Sequence, residues 1–163
     1  SKLKEKGYPV SLTLIGDIIY RPSGDKLKRT IDKLDPGHEF INHILHIPNT
    51  EMADQYFNHD GIIFASSCEN MPNILLESMG SGKPIACSDK SPMPEFLKEG
   101  GFYFNASSVN SIFETLENML LSLKTSQDYS IKNIKELKNY TWEKTATKTI
   151  DFIENTLKSY KNG

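Results

Sequence analysis

Short apolar runs alternate with segments of helical spacing along the first two thirds of the chain. The runs, rich in β-branched and aromatic residues, predict strands at Val10 to Ile15, Phe40 to Ile47, Gly61 to Ala65, Pro84 to Ser88 and Gly101 to Phe104. Between them the pattern predicts helices over Gly24 to Leu34, Pro48 to Asn58, Pro72 to Gly80 and Pro92 to Glu99. Regular alternation of this kind favours right-handed crossovers and an open parallel sheet.

The last third of the chain has only helical periodicity. Apolar residues recur at helical spacing from Ile112 to Leu123, a second helix is predicted over Tyr129 to Asn139, and a third over residues 142–160. The third has an apolar stripe of Ala146, Ile150, Ile153 and Leu157. We expect Trp142 to anchor it to the core and residues 1–163 to form one α/β domain.

Composition excludes several classes of partner. Of 163 residues, 25% are charged and the formal net charge is −2, so bulk charge does not favour nucleic acid or an anionic membrane as the main partner. No apolar run approaches the roughly 20 residues of a spanning helix. Cys68 and Cys87 are read as reduced thiols of a cytoplasmic protein. The first residues lack a signal peptide and resemble the end of a helix closed by Gly7, which predicts a fragment of a longer polypeptide.

Ligands of open parallel sheets bind outside the carboxyl ends of the strands. Among these strand ends, the segment from Ser66 to Pro84 has the most residues that could bind a ligand or take part in a reaction. A helical wheel places Glu77 opposite an apolar arc of Ile74, Leu75, Leu76 and Met79, and Glu69 lies in the loop before the helix. Unpaired first-turn amides of Asn73 and Ile74 suit a phosphate. Spacing alone does not distinguish a ligand-binding role of Glu69 and Glu77 from the alternative that both are surface acids exposed to solvent.

The same segment resembles the signature of retaining, family 4 (group 1) glycosyltransferases of the two-Rossmann-domain GT-B fold. Glu69 is followed after seven residues by Glu77 in Leu-Leu-Glu-Ser-Met, and then by Gly82-Lys83-Pro84. Further segments match in order, from about residue 8 to 155: Leu14 to Asp17, His46 to Met52, Pro92 to Phe96, Gly100 to Phe102 and Tyr140 to Glu143.

The resemblance implies a Rossmann-like three-layer sandwich with a parallel sheet, the C-terminal half of a GT-B enzyme. The first strand of that half and the N-terminal acceptor domain would both be missing from the chain. Two hypotheses follow for the missing strand: Val10 to Ile15 pairs directly with Gly61 to Ala65, or a segment of another chain fills the gap. We expect the chain alone to transfer sugar poorly or not at all.

The resemblance also assigns roles to residues. Glu77 would accept hydrogen bonds from the ribose hydroxyls. Glu69 would be the catalytic residue, which holds hydroxyls of the donor sugar and lies near the positive charge that develops at its anomeric carbon. The amides of Met71, Asn73 and Ile74 would bind the distal phosphate. Gly16 would let backbone approach the diphosphate, and His46 and Ile47 would border the base. The donor would be a UDP- or GDP-linked sugar, with no metal and no cofactor.

The sequence departs from the family pattern at several positions. Asn70 and Ile18 stand where glycines are usual. The basic residues that bind the diphosphate in the family have no match in this sequence, and the resemblance would place them before Ser1. Glu95 would support either the sugar or its own loop, or would be a helix N-terminal acid. His38, His43 and His59 have no companions at metal-ligand spacing and are interpreted as surface or strand-packing residues.

The function that this reasoning favours is sugar transfer from a nucleotide sugar to a glycan or lipid-linked acceptor. The enzyme would be cytoplasmic, with peripheral association of the full-length protein at the inner face of a membrane. Two alternatives remain: a sugar-nucleotide epimerase of the same fold, and a non-catalytic flavodoxin-like binding module. Asp17 stands alone at the end of its strand, whereas receiver-type modules have paired acids there.

Overall fold

The computed structural model describes residues 1–161 of the chain. These form two compact units: unit 1 is Ser1–Asn58, and unit 2 begins at His59. Asn162 and Gly163, which the predicted single domain includes, lie outside the described residues. The α/β fold class with parallel strands is confirmed.

Unit 1 contains two parallel strands joined by a helical crossover. Its elements are α1 (Lys2–Glu5), β1 (Leu12–Ile15), α2 (Arg21–Leu34), β2 (Ile41–Ile44), a 3₁₀ turn (Asn49–Glu51) and α3 (Met52–Asn58). In the β1–β2 register Leu12 is opposite Ile41 and Ile15 is opposite Ile44. Helix α2 starts one turn earlier than predicted, because Pro22 is favourable in a first turn, where an amide hydrogen has no acceptor.

A buried carboxylate organises the turn between α2 and β2 in unit 1. Asp35 is 2% exposed and accepts hydrogen bonds from the amides of Phe40, Glu39 and Ile41 at 2.9, 2.9 and 2.7 Å. Burial raises the pKa of Asp35, but the three amide donors and the electrostatic effect of His38 together outweigh it, and the net pKa lies below the ordinary value. The side chain therefore acts as an anion that fixes the start of β2.

Unit 2 contains a three-stranded parallel sheet in the order β3–β4–β5. Its elements are β3 (Ile62–Phe64), α4 (Asn73–Gly80), β4 (Ile85–Ser88), α5 (Met93–Leu97), a 3₁₀ turn (Lys98–Gly100), β5 (Phe102–Phe104), α6 (Val109–Leu121), α7 (Leu123–Leu137) and α8 (Trp142–Lys161). The central strand β4 is buried throughout. Burial of β3 on both faces was also expected, but this prediction is wrong for Ile63, which is 40% exposed.

Helices cover both faces of the unit 2 sheet. One face packs with α4 and α5 in a cluster of Phe64, Leu75, Met79, Ile85, Cys87, Met93 and Leu97. The other packs with α6 in a cluster of Ala86, Phe102, Phe104 and Met119. Since successive strand residues point to opposite faces, Ile85 and Cys87 belong to the first cluster and Ala86 to the second. Unit 2 by itself is thus a three-layer α/β/α arrangement.

Two expectations about packing are wrong. The direct pairing of the first and third strands is absent from residues 1–161, where β1 is hydrogen-bonded to β2 and β3 to β4, each pair joined by its own helical crossover. Trp142 does not anchor α8, since it is 85% exposed; Tyr140, just before the helix, packs on Phe96 with 5.2 Å between ring centroids. No helix in the described part of the chain is long and apolar enough to cross a membrane.

Candidate functional site

The loop between β3 and α4 in unit 2 ends in a tight turn at Pro72. Its φ and ψ of −81° and 72° are those of an inverse γ-turn, and the Asn73 amide donates to the Met71 carbonyl at 2.9 Å. The expectation of an unpaired Asn73 amide is therefore wrong. The sequence favoured Pro72 inside the first helical turn, whereas the structure places it as the residue before α4.

The first turn of α4 still presents main-chain donors. Leu76 donates to the Pro72 carbonyl at 3.1 Å, so the amides of Ile74 and Leu75 precede the first hydrogen bond of the helix. These amides lie at the positive end of the helix dipole, which is favourable for an anion. The Ile74 side chain is 58% exposed, which removes it from the apolar arc predicted for α4.

Burial of one face of α4 determines where Glu77 points. Leu75, Ser78 and Met79 are fully buried against the sheet, and the Ser78 hydroxyl donates to the Ile74 carbonyl at 2.7 Å. Glu77 lies on the opposite side of the helix and is exposed, as predicted. Glu69 is half-exposed in the preceding loop. Both carboxylates are therefore accessible to a solute, on the same loop and helix as the first-turn amides.

The loop after β4 is held by its own hydrogen bonds. The Ser91 hydroxyl donates to Glu95 Oε1 at 2.6 Å, and the Met93 amide donates to the Lys90 carbonyl at 3.0 Å. The Ser91–Pro92 peptide is cis. These contacts support the interpretation in which Glu95 stabilises its own loop.

In unit 1 the residues after β1 make three contacts with β2 and the segment that follows it. The Gly16 amide donates to the Ile44 carbonyl at 3.0 Å, and His43 Nε2 lies 3.0 Å from the Gly16 carbonyl oxygen, which it binds as a donor. His46 Nδ1 lies 3.4 Å from Asp17 Oδ2. Gly16 has φ +152°, which disfavours any other residue, although a Cβ there would meet no atom within 4 Å.

Sequence reasoning missed this pairing of Asp17 and His46. It treated His43 as a packing residue and Asp17 as an isolated acid. The β1–β2 register provides the explanation, because the spacing that places Leu12 opposite Ile41 places position 17 opposite position 46. Ile47, predicted with His46 to border a base, is half-buried just before the 3₁₀ turn.

Unit 1 also has an open cavity of about 630 Å³ between α2 and its two strands. None of the predicted site residues lines it; the lining includes Thr13, Leu27, Ile31, Asp32, His38 and His43. Among residues 1–161, no three His, Cys, Asp or Glu side chains are grouped so that they could hold a metal ion.

Solved structures that match this chain include a glycosyltransferase and sugar-phosphate synthases. A trehalose 6-phosphate synthase from Burkholderia multivorans matches with a TM-score of 0.87 and 13% identity, over 98% of this chain and 38% of that one. Anabaena HepE in complex with UDP matches with a TM-score of 0.77 and 14% identity, over 91% of this chain and 42% of that one. The fold is that of the C-terminal Rossmann-like domain of GT-B glycosyltransferases.

Sequence comparison identifies the family. The family profile described as glycosyl transferases group 1 matches residues 1–122, and the chain belongs to this family. The O-antigen chain mannosyltransferase B of Escherichia coli is 21% identical over 112 residues, which are 69% of this chain and 29% of that protein. The sulfoquinovosyl transferase of Arabidopsis thaliana is 23% identical over 142 residues, which are 84% of this chain and 26% of that protein. The chain thus spans less than a third of these relatives.

Proposed function

We propose that this chain is the donor-binding C-terminal domain of a retaining glycosyltransferase that transfers sugar from a nucleoside diphosphate to a glycan or lipid-linked acceptor. The observation that carries the proposal is the arrangement in unit 2. There, two accessible carboxylates, Glu69 and Glu77, flank the open first turn of α4 at the carboxyl end of a parallel strand. Family membership makes a nucleotide sugar the expected ligand of this arrangement.

The first turn of α4 would bind the distal phosphate. The Ile74 amide is available for this, and the amide of Met71, the first residue of the γ-turn, would be a second donor. Asn73 would contribute its amide only by releasing the Met71 carbonyl, so ligand binding would open the turn. As the bond to the sugar breaks, charge grows on the departing phosphate, and fixed amides stabilise that charge without reorganisation.

Glu77 would bind the ribose. A carboxylate accepts two hydrogen bonds side by side, which matches two adjacent hydroxyl groups. Burial of Leu75 and Met79 fixes the rotation of α4 and hence the direction of Glu77.

Glu69 would be the catalytic residue. Its carboxylate would accept hydrogen bonds from hydroxyls of the donor sugar and lie near the positive charge that develops at the anomeric carbon. Opposite charge at that point stabilises the transition state more than the ground state, which is the condition for a faster chemical step.

A separate part of the proposal concerns residues of unit 1. Gly16 would allow close approach of the diphosphate, and backbone at His46 and Ile47 would border the base. HepE binds UDP in its structure, and starch synthase IV from Arabidopsis thaliana binds ADP, so nucleoside diphosphates are ligands of this fold. UDP and GDP are the donors to test first.

The remaining parts of the proposal concern the whole enzyme. An N-terminal domain would hold the acceptor, the protein would act in the cytoplasm with peripheral attachment to the inner membrane face, and neither nucleic acid nor a metal would take part. The 163-residue chain would then bind donor without transferring it. Normal turnover by this chain alone would contradict the proposal that a separate N-terminal domain holds the acceptor.

Titration calorimetry with UDP and GDP tests the donor site. We expect Glu77→Ala to weaken nucleotide binding by about tenfold or more, since two hydrogen bonds to a charged group are lost. Glu143→Ala, an exposed acid of α8, is the matched control and should leave the affinity unchanged. Equal affinity of the Glu77 variant and the unmodified chain would refute the assignment of Glu77.

A further inference from the structure

Helix α8 of unit 2 is exposed at every residue from 142 to 160. Just before it, Tyr140 packs on Phe96 and ties the start of the helix to α5. With 20 residues at 1.5 Å per residue, α8 is about 30 Å long. An apolar stripe of this length in water favours association with another apolar surface.

The apolar stripe of α8 has the spacing of a coiled coil. Its side chains follow one another at intervals of four, three, four and three residues, and we call them the α8 seam: Ala146, Ile150, Ile153, Leu157 and Tyr160. Such a period of 3.5 residues gives a narrow stripe that matches one partner helix, whereas a helix packed on the core of a globular protein has a broader apolar arc. The spacing therefore indicates a helical partner.

Charge on the rest of α8 does not favour a lipid surface. Residues 142–160 contain three lysines and three acidic residues, whereas helices that bind anionic membranes have an excess of Lys and Arg on the polar face. The positions directly beside the α8 seam are Thr147, Thr149, Glu154 and Thr156. These side chains place little charge next to a partner helix.

The α8 seam is complementary to itself when two copies run antiparallel about a two-fold axis, the commonest symmetry of protein dimers. An axis midway between Ile150 and Ile153 places each of these residues against the other in the second copy. The same register places Leu157 against Ala146, a large side chain against a small one. Large and small side chains thus alternate across the pair, as close packing requires.

The ends of α8 also favour the antiparallel orientation. It places Tyr160 beside Glu143 of the second copy, where the hydroxyl can donate to the carboxylate. A parallel orientation would place the Glu143 carboxylates of both copies side by side, and like charges repel. Since all other elements of unit 2 precede α8, an antiparallel pair keeps them at opposite ends of the two helices.

We propose that α8 forms an antiparallel two-stranded coiled coil with α8 of a second copy of this chain. The inference goes beyond the proposed function, because neither Glu69 nor Glu77 takes part in the contact. Two heptads bury a small surface, so we expect a dissociation constant of roughly 100 µM. At about 5 µM, a concentration suited to unfolding measurements, mass action leaves the chain monomeric.

Sedimentation equilibrium of the 163-residue chain tests the association. Between about 5 µM and about 1 mM, the average mass should rise from that of one chain towards that of two. A mass that stays at one chain up to the highest concentration overturns the proposal.

A matched pair of substitutions tests whether the α8 seam makes the contact. Leu157→Glu places a carboxylate in the seam and should weaken association at least about tenfold. Phe152→Glu introduces the same charge at an exposed apolar residue outside the seam and should leave the association unchanged. Both side chains are exposed, so circular dichroism should remain native in both variants. Equal effects of the two substitutions would contradict the assignment of the seam.

A charge pair tests the antiparallel register. In the double variant Ala146→Lys/Leu157→Glu, each lysine faces the glutamate of the second copy, so part of the association lost in Leu157→Glu should return. In a parallel pair the same double variant would bring lysine against lysine and glutamate against glutamate. A double variant that associates no better than Leu157→Glu therefore overturns the antiparallel register.

Discussion

The two units of the chain are held together by different interactions. In unit 1 only Gly24, Ile31 and Asp35 are buried, and polar contacts of Asp35 fix the turn before β2. In unit 2 two clusters of buried apolar side chains cover opposite faces of a sheet. Unit 2 therefore depends on apolar burial and unit 1 on a few directional polar contacts, and the two should respond differently to cavities and to pH.

The difference extends to the candidate ligand-binding residues. In unit 2 Glu77 is positioned by packing, because Leu75 and Met79 fix the helix on which it lies. In unit 1 Gly16 is positioned by hydrogen bonds of its amide to Ile44 and of its carbonyl oxygen with His43. Substitutions in an apolar core should thus affect the first residue, and substitutions of histidine the second.

The largest effect is expected from Met79→Ala in unit 2. Met79 is fully buried against the sheet, and truncating it leaves a cavity, which should lower the free energy of unfolding by about 2–5 kcal/mol. Ile74→Ala on the exposed side of the same helix should cost less than about 0.5 kcal/mol. Urea unfolding followed by circular dichroism measures both, and similar values for the two variants would contradict the packing of α4.

A more local effect is expected from Asp35→Ala in unit 1. Three amides lose their acceptor at once, and an unsatisfied buried donor is costly. Hydrogen exchange should accelerate at Glu39, Phe40 and Ile41, while the amides of β4 keep their protection. Asp25→Ala serves as the exposed control, and unchanged exchange in the Asp35 variant would show that the turn does not need the carboxylate.

Acid should weaken unit 1 through the same residue. The pKa of Asp35 in the folded chain is below its ordinary value of 3.8, so its stabilisation is complete above that pH and is lost as the pH falls through the folded value. Amide signals of residues 39–41, followed by NMR from pH 7 to pH 2, should report this loss. Asp35→Asn should remove the pH dependence at these amides, and a variant that retains it would locate the titrating group elsewhere.

The smallest effect is expected on α8. Its apolar residues are exposed, Ile153 and Leu157 by 50% and 55%, so Ile153→Ser should change the stability of the 163-residue chain by less than about 0.5 kcal/mol. Urea midpoints of the variant and the unmodified chain provide the measurement. A loss comparable with that of Met79→Ala would mean that α8 is packed in solution.

Local patterns predicted much of the fold. Each predicted strand contains an observed one, and α4 and α8 begin within one residue of their predicted starts, because apolar periodicity and proline act over a few residues. Packing over longer distances was harder to predict. The exposure of Trp142 and Ile63 depends on which elements contact them, and composition does not encode that.

For the candidate site too, features within one helix were predicted and a contact set by backbone angles was not. The spacing of Glu69 and Glu77 around a helix start, and the outward direction of Glu77, followed from periodicity along one helix. The bond between the Asn73 amide and Met71 did not follow, since it depends on the dihedral angles of Pro72.

Residue order alone determined the alternation of strands and helices, the acids around α4 and the family of the chain, because each is a property of neighbouring positions. Tertiary structure decided that His46 meets Asp17 and that Asp35 meets three amides. Those contacts follow from strand register and turn closure, which bring together groups whose separation along the chain has no characteristic pattern.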